Sequence, residues 1–221
     1  AGGRVELDAA WMDGRTRTVG AVTAATVPRH PVCLARAVAL HTPHVLLAGP
    51  GADRLAETLE LDTVPPGWHE TPERRAQYEA VAAEGGYGLD HGSLGGRKDV
   101  YGTVGAVAAD DHGHVAAATS TGGMVNKRAG RVGDSPVVGA GTWAWDATCA
   151  VSGTGHGEAF LRLCVAHRVS DLMELCGLTL REAAYRVIHE ELPDIEGEGG
   201  LIAVSAAGEL ALPFNTGGMF R

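Results

Sequence analysis

Lysine is almost missing from this sequence. Lys98 and Lys127 are the only two among 18 basic residues, and 27 acidic residues leave a formal net charge of −9. The arginine bias points to a GC-rich coding sequence rather than to a function. That balance argues against a nucleic-acid partner, which would want a basic face, and against docking on an anionic membrane surface. Long apolar runs are also missing: none approaches the roughly 18 residues that cross a bilayer. Residues 1–6, Ala-Gly-Gly-Arg-Val-Glu, carry no signal-peptide core. The 4 cysteines, Cys33, Cys149, Cys164 and Cys176, form no C-x-x-C pair, which removes zinc-ribbon and thioredoxin readings. Reduced thiols in a cytoplasmic setting are expected. Aromatics are scarce, with 4 Trp, 4 Tyr and 3 Phe, so the core must be built from Ala, Val and Leu. Gly (32) and Pro (10) are abundant but follow no Gly-X-Y period, which excludes collagen. No repeat of 20–50 residues is present, which argues against solenoids and propellers. The 221 residues suffice for one domain with a sizeable core.

The remaining pattern alternates strands and helices. Residues 5–9 and 20–26 read as strands, with a turn at Asp13-Gly14. Pro31 opens a helix through Leu34, Val38 and Leu40, with Pro31 at its first turn. Residues 44–48 read as a short buried strand, 53–59 as a short helix, and 72–84 as a polar helix with Thr71 as N-cap. Residues 85–101 are Gly-rich and aperiodic, the best linker in the chain. Residues 103–109 and 114–120 form a hairpin around Asp110-Asp111-His112-Gly113. Two further strands are expected at 137–141 and 147–152, helical stretches over 157–169 and 170–175, a capping box at Thr179–Glu182, and a final hairpin over 200–205 and 209–214.

The chemistry concentrates between 102 and 158. Thr103 starts a strand directly after the flexible linker. A break between Gly102 and Thr103 would give Thr103 a free α-amine beside its own hydroxyl. A threonine hydroxyl is a poor nucleophile without a base. An α-amine titrates at roughly 7.7–8.0 and can act as that base. Downstream lie three Gly-flanked polar runs: TSTGGM (119–124), GRVGDSP (130–136) and SGTGHGE (152–158). Their glycines let backbone N–H groups approach a ligand. Arg131 and Asp134 carry opposite charges three residues apart, suited to the two ends of an amino acid.

At these residues the chain resembles the plant-type L-asparaginase / isoaspartyl peptidase family of N-terminal-nucleophile hydrolases. The resemblance rests on GTVGAVA (102–108), AAATSTGGM (116–124), NKR (126–128), GRVGDSP (130–136), GAGT (139–142), AVSGTGHGE (150–158), GGLIAV (199–204) and ALPFNT (211–216). ELDAAWMDG (6–14) and HVLLAG (44–49) join it upstream. It implies an α/β, four-layer αββα sandwich in a single domain over 1–221. It implies autoproteolysis between Gly102 and Thr103, giving an alpha chain 1–102 and a beta chain 103–221. Thr103 is then the nucleophile and Thr121 its neighbour and support. Arg131 would bind the substrate α-carboxylate and Asp134 its α-ammonium, while the Thr154 hydroxyl and Gly155 N–H form the oxyanion hole. The implied reaction is hydrolysis of L-asparagine and β-aspartyl dipeptides without a cofactor, in a homodimer of cleaved pairs. The alternative is a truncated or unprocessed, non-catalytic relative. It is motivated by the family's leading HGGAG segment and last strand, which do not occur within 1–221. Val125 also stands where Thr or Ser is common in the family, and Gly217 where Glu is common.

Plainer readings accompany these. Thr103 alone reads as a strand-former, Arg131–Asp134 as a surface pair, and Thr154-Gly155 as a strand-to-helix turn. His112 with His114, and His41 with His44, lack further ligands at metal spacing, so solvated turn histidines are expected and no metal site. Gly49-Pro50-Gly51 lacks the rest of a phosphate-loop pattern and reads as a turn. Cys164 and Cys176 are expected as core thiols.

Overall fold

The structure is a computed structural model that describes residues 2–83, 85 and 102–219. Of the linker expected at 85–101, only Gly85 is among the described residues.

Two sheets stack face to face. The first has five strands, β1 (Leu7–Asp13), β2 (Val19–Ala25), β3 (Leu46–Ala48), β4 (Thr103–Ala109) and β5 (Val115–Thr121), in the order β3-β2-β1-β5-β4. The second has four, β6 (Thr142–Ala144), β7 (Cys149–Gly155), β8 (Gly199–Ser205) and β9 (Leu210–Ala211), in chain order. Helices α1 (Pro31–His41) and α2 (Gly49–Thr58) cover the outer face of the first sheet. Helices α4 (Gly157–Leu163), α5 (Val165–Cys176) and α6 (Leu180–Arg186) cover that of the second, while α3 (Pro72–Ala83) precedes the linker. This is the αββα layering that the family resemblance implies.

Small residues make the layers close. Met12, Val115, Ala117, Ala144, Ala150 and Val204 fill the space between the sheets. Leu34, Ala35 and Val38 of α1 pack on Ala9 and Val22. At Gly20 the helix lies so close that a Cβ would fall 2.0 Å from the Ala35 carbonyl oxygen, so no other residue fits there. Phe160, Leu172, Leu180, Ile188, Leu192 and Leu201 form the larger core under the second sheet. The sequence-predicted capping box is present: Thr179 Oγ1 accepts from Glu182 N–H at 3.3 Å and the Glu182 carboxylate accepts from Thr179 N–H at 2.9 Å.

Several local expectations are corrected. Residues 137–141 form a turn and the strand starts at Thr142, because Gly141 N–H bonds back to the Asp134 carbonyl at 3.1 Å. The division between the two helical stretches falls at Cys164, which adopts φ 52°, rather than between 169 and 170. Beyond it, Ala166 and His167 N–H groups bond to the Ala140 and Gly139 carbonyls at 3.1 and 2.8 Å, so the loop satisfies the orphan donors that start α5. Cys164 and Cys176 are exposed rather than core thiols. β3 is an exposed edge rather than a buried strand. The last hairpin is short: β9 ends before Pro213, which has no ladder N–H, and Phe214 makes one bridge to Gly200.

Candidate active site

The end of the sandwich is set by how β4, β5 and β7 run. Asp146, just before β7, accepts from Val115 N–H at the start of β5 at 2.9 Å. Further along, Thr119 of β5 and Ser152 of β7 share a hydroxyl hydrogen bond of 2.7 Å. These two strands therefore run in the same direction across the inter-sheet space and finish at one edge, at Thr121 and at Thr154-Gly155. β4 pairs antiparallel with β5, with Thr103 opposite Thr121, so the chain enters β4 at that same edge. Gly105 confirms the contact: a Cβ there would sit 2.1 Å from Ser152 Oγ. Thr103 and Thr154 are each two residues from this meeting point, toward the same end. His114, expected as a solvated turn histidine, instead bonds through Nδ1 to Asp146 at 2.7 Å and ties down the opposite end.

Thr121 is buried and Thr103 is half-buried. The Thr121 hydroxyl donates to the Gly102 carbonyl at 3.4 Å and accepts from Gly123 N–H at 3.0 Å. It thus touches the carbonyl of the Gly102–Thr103 bond itself. Behind it lies a closed hydroxyl network. Thr142 donates to Thr119 at 2.6 Å, and Thr119 lies 3.1 Å from the Gly141 carbonyl. β1 adds Asp8, which pairs with Thr121 in the ladder and is fully buried. Its Oδ1 accepts from Thr23 Oγ1 at 2.7 Å and Ala24 N–H at 2.9 Å. Lys127, likewise buried, reaches Glu6 at 3.2 Å and Asp8 at 3.8 Å, and its stem lies against Gly123. A cavity of about 280 Å³ opens beside Gly102, walled by Gly122, Gly123, Met124 and Lys127 from one side and Val5 and Tyr78 from the other.

Arg131 and Asp134 lie apart from that cavity, at the N-terminal end of α4. Both converge on Gly157: a Cβ there would meet Arg131 Nη2 at 2.7 Å and Asp134 Oδ1 at 3.0 Å. Gly157 follows Gly155 by two residues, so the charged pair belongs to the same end of the sandwich as Thr154 and Gly155. Gly155 has φ 154° and a Cβ would strike the Glu198 carbonyl at 2.3 Å, so β7 closes here only with glycine. Of the plainer readings, the surface pair between Arg131 and Asp134 does not form, and Arg131 pairs over a longer range instead. Arg131 donates through Nε and Nη2 to Glu158 at 2.9 and 3.0 Å. That hydrogen-bonded pairing pulls the Glu158 carboxyl below the usual range. Asp134 is buried, and burial pushes its carboxyl up to about 7 against the opposing pull of Arg131. Its Oδ2 is buried without a hydrogen-bond partner. An ammonium group placed there would supply the missing donors and favour the ionised form.

The structure thus brings Gly102, Thr103 and Thr121 together, and Thr154, Gly155, Arg131 and Asp134 onto the same end. Glu158, Ser152, Asp8 and Lys127 were given no role by sequence reading. Glu158 closes the SGTGHGE run, and that adjacency was the only signal for it. Among the described residues no cluster of three His, Cys, Asp or Glu side chains is placed to hold a metal. No described helix is long and apolar enough to cross a membrane.

The Asparaginase family profile matches residues 1–221. The isoaspartyl peptidase of Salmonella typhimurium is 50% identical over 220 residues, covering 99% of this chain and 70% of its own length. The isoaspartyl peptidase of Escherichia coli is 50% identical over 217 residues, with 98% and 68% covered. The plant-type L-asparaginase of Pyrobaculum calidifontis is 43% identical over 222 residues, with 99% and 72% covered. With the profile spanning the whole sequence and these identities spread along it, the chain belongs to the asparaginase family of hydrolases.

Proposed function

We propose that this chain hydrolyses the side-chain amide of L-asparagine and the β-linked peptide bond of isoaspartyl dipeptides, with Thr103 as nucleophile. The observation that carries the reading is the convergence of β4, β5 and β7 on one edge, with Thr121 touching the Gly102 carbonyl.

The nucleophile is first released. Thr103 Oγ attacks the Gly102 carbonyl carbon, and the acyl group moves from the Thr103 nitrogen to its oxygen. Water then hydrolyses the ester, leaving a Gly102 carboxylate and a free Thr103 α-amine. The products are residues 1–102 and 103–221. In turnover the α-amine accepts the hydroxyl proton as Thr103 Oγ attacks the substrate side-chain carbonyl. Thr154 Oγ1 and Gly155 N–H stabilise the oxyanion, a contribution of about 3 kcal/mol per donor. Ammonia, or the amine of the released amino acid, departs with that proton. Water attacks the β-aspartyl ester and regenerates Thr103. Arg131 receives the α-carboxylate and Asp134 the α-ammonium, so the substrate's backbone end is fixed while its side chain reaches Thr103. No cofactor enters this scheme. The working unit in this reading is a cytoplasmic homodimer of cleaved pairs, which size-exclusion chromatography of the cleaved protein checks.

The test pairs intact mass with ammonia release from L-asparagine. Wild-type protein should split between Gly102 and Thr103 and then release ammonia. Thr103→Ala should remain one full-length species and release none. Full activity in Thr103→Ala would sink the proposal.

A further inference from the structure

The geometry points to Glu158 as a positioning residue for substrate recognition: its carboxylate holds one edge of the Arg131 guanidinium so that the other edge is presented to the substrate α-carboxylate. This rests on the proposed role of Arg131.

A guanidinium has five N–H donors in a fixed plane. Glu158 accepts from Nε at 2.9 Å and from Nη2 at 3.0 Å, the side edge of the fork. The Nη1/Nη2 tip keeps its remaining donors, and that edge alone matches a second carboxylate in bidentate fashion. The plane is confined as well. Nη1 lies 2.9 Å from where a Cβ on Gly133 would be, and Nη2 lies 2.7 Å from where one on Gly157 would be. The guanidinium therefore sits in a slot that two glycines leave open.

Burial orders the two partners. Arg131 is 17% exposed and Glu158 is 46% exposed, so Glu158 grips the guanidinium from the solvent side. The grip also separates charges. Asp134 Oδ1 lies 3.0 Å from the same Gly157 Cβ position, and its Oδ2 has no hydrogen-bond partner. Without Glu158, Asp134 is the adjacent carboxylate that could take the guanidinium. Arg131 would then turn its tip away from the substrate α-carboxylate, while Asp134 Oδ2 stays open to the ammonium. Glu158 keeps the cation and the anion side by side but unpaired with one another, which is the charge pattern of a zwitterion's complement.

The experiment compares wild type, Glu158→Gln and Glu158→Asp on two substrates. One is L-asparagine; the other is 3-aminopropanamide, which keeps the amide and the ammonium but has no α-carboxylate. Self-cleavage is followed by intact mass. Glu158→Gln should cleave itself as wild type does, keep kcat for asparagine within about twofold and raise KM about tenfold. Glu158→Asp should fall between the two, and KM for 3-aminopropanamide should change in neither variant. An unchanged KM for asparagine, or an equal rise for both substrates, would overturn the assignment. Arg131→Ala separates the two failures. If it raises the asparagine KM while Glu158→Gln does not, only the role of Glu158 falls. If it leaves that KM unchanged, the proposed role of Arg131 falls first.

Discussion

Asp134→Asn should make the protein more stable, and increasingly so as pH rises. Asp134 ionises in the folded chain at about 7 against an ordinary 3.8, because burial penalises the charged form. Below pH 3.8 both folded and unfolded chains hold the proton, and the group contributes no pH dependence. Between those two values the unfolded chain gives up its proton while the folded chain keeps it, so stability falls as pH rises. Above 7 both are ionised and the fall is complete. A shift of this size, at 1.36 kcal/mol per unit, corresponds to about 4 kcal/mol lost between pH 4 and pH 8. Asparagine has nearly the same shape and cannot ionise. The stability difference between variant and wild type should therefore grow by that amount over the window, whatever constant offset the amide introduces. For a chain of this length it corresponds to roughly 10 °C in melting temperature. Melts of unprocessed protein at half-unit pH steps from 4 to 8.5 measure it. Processing is blocked in both by a Thr103→Ala background, so that only one species unfolds. A difference that stays flat with pH would refute the reasoning. Catalysis should move the other way: a substrate ammonium needs the ionised carboxylate, so Asp134→Asn should raise KM for asparagine steeply.

Three further outcomes follow from other parts of the molecule. Gly105→Ala places a Cβ 2.1 Å from Ser152 Oγ, so self-cleavage should slow sharply by intact mass, and adding Ser152→Gly should restore it. Thr179→Ala removes the cap of α6 and should cost about 1 kcal/mol in chemical denaturation with no change in KM for asparagine. Cys149 is buried, with its thiol pushed up to about 12, whereas Cys33, Cys164 and Cys176 are exposed. A thiol reagent at pH 8 should titrate those three quickly and Cys149 only after unfolding.

Much of this arrangement was legible in the sequence where the signal is local. Thr103 at the mouth of a strand, the Thr179–Glu182 box and the 103–121 hairpin are all readable from neighbours within a few positions. What escaped depends on partners far apart in the chain. The spacing of Arg131 and Asp134 suggests a charge pair for the two ends of a substrate but gives no sign of Glu158, 27 positions from Arg131, which the turn into α4 brings to the guanidinium's side edge. The break at Cys164 could not be read from helical periodicity, since the carbonyls that satisfy α5 come from residues 139 and 140. The fit of Gly105 on Ser152 is set by the stacking of two sheets, and no spacing in the sequence encodes it. Small residues in strands signal close layers in general but not which pairs meet.

The place of Thr103 at the start of an edge strand has a consequence for assembly. A cut before it interrupts no hydrogen-bonded ladder. The helix-covered core of α1, α2 and β2 stays wholly in the first piece, and that of α4 to α6 wholly in the second. The six β1–β5 register pairs, the Lys127 contacts with Glu6 and Asp8, and Met12 among the residues between the sheets all join one piece to the other. Cleavage would turn the five-stranded sheet from one chain's fold into a complex of two. Its persistence would then obey mass action, and diluting the cut protein would lower its melting temperature where diluting the uncut protein would not.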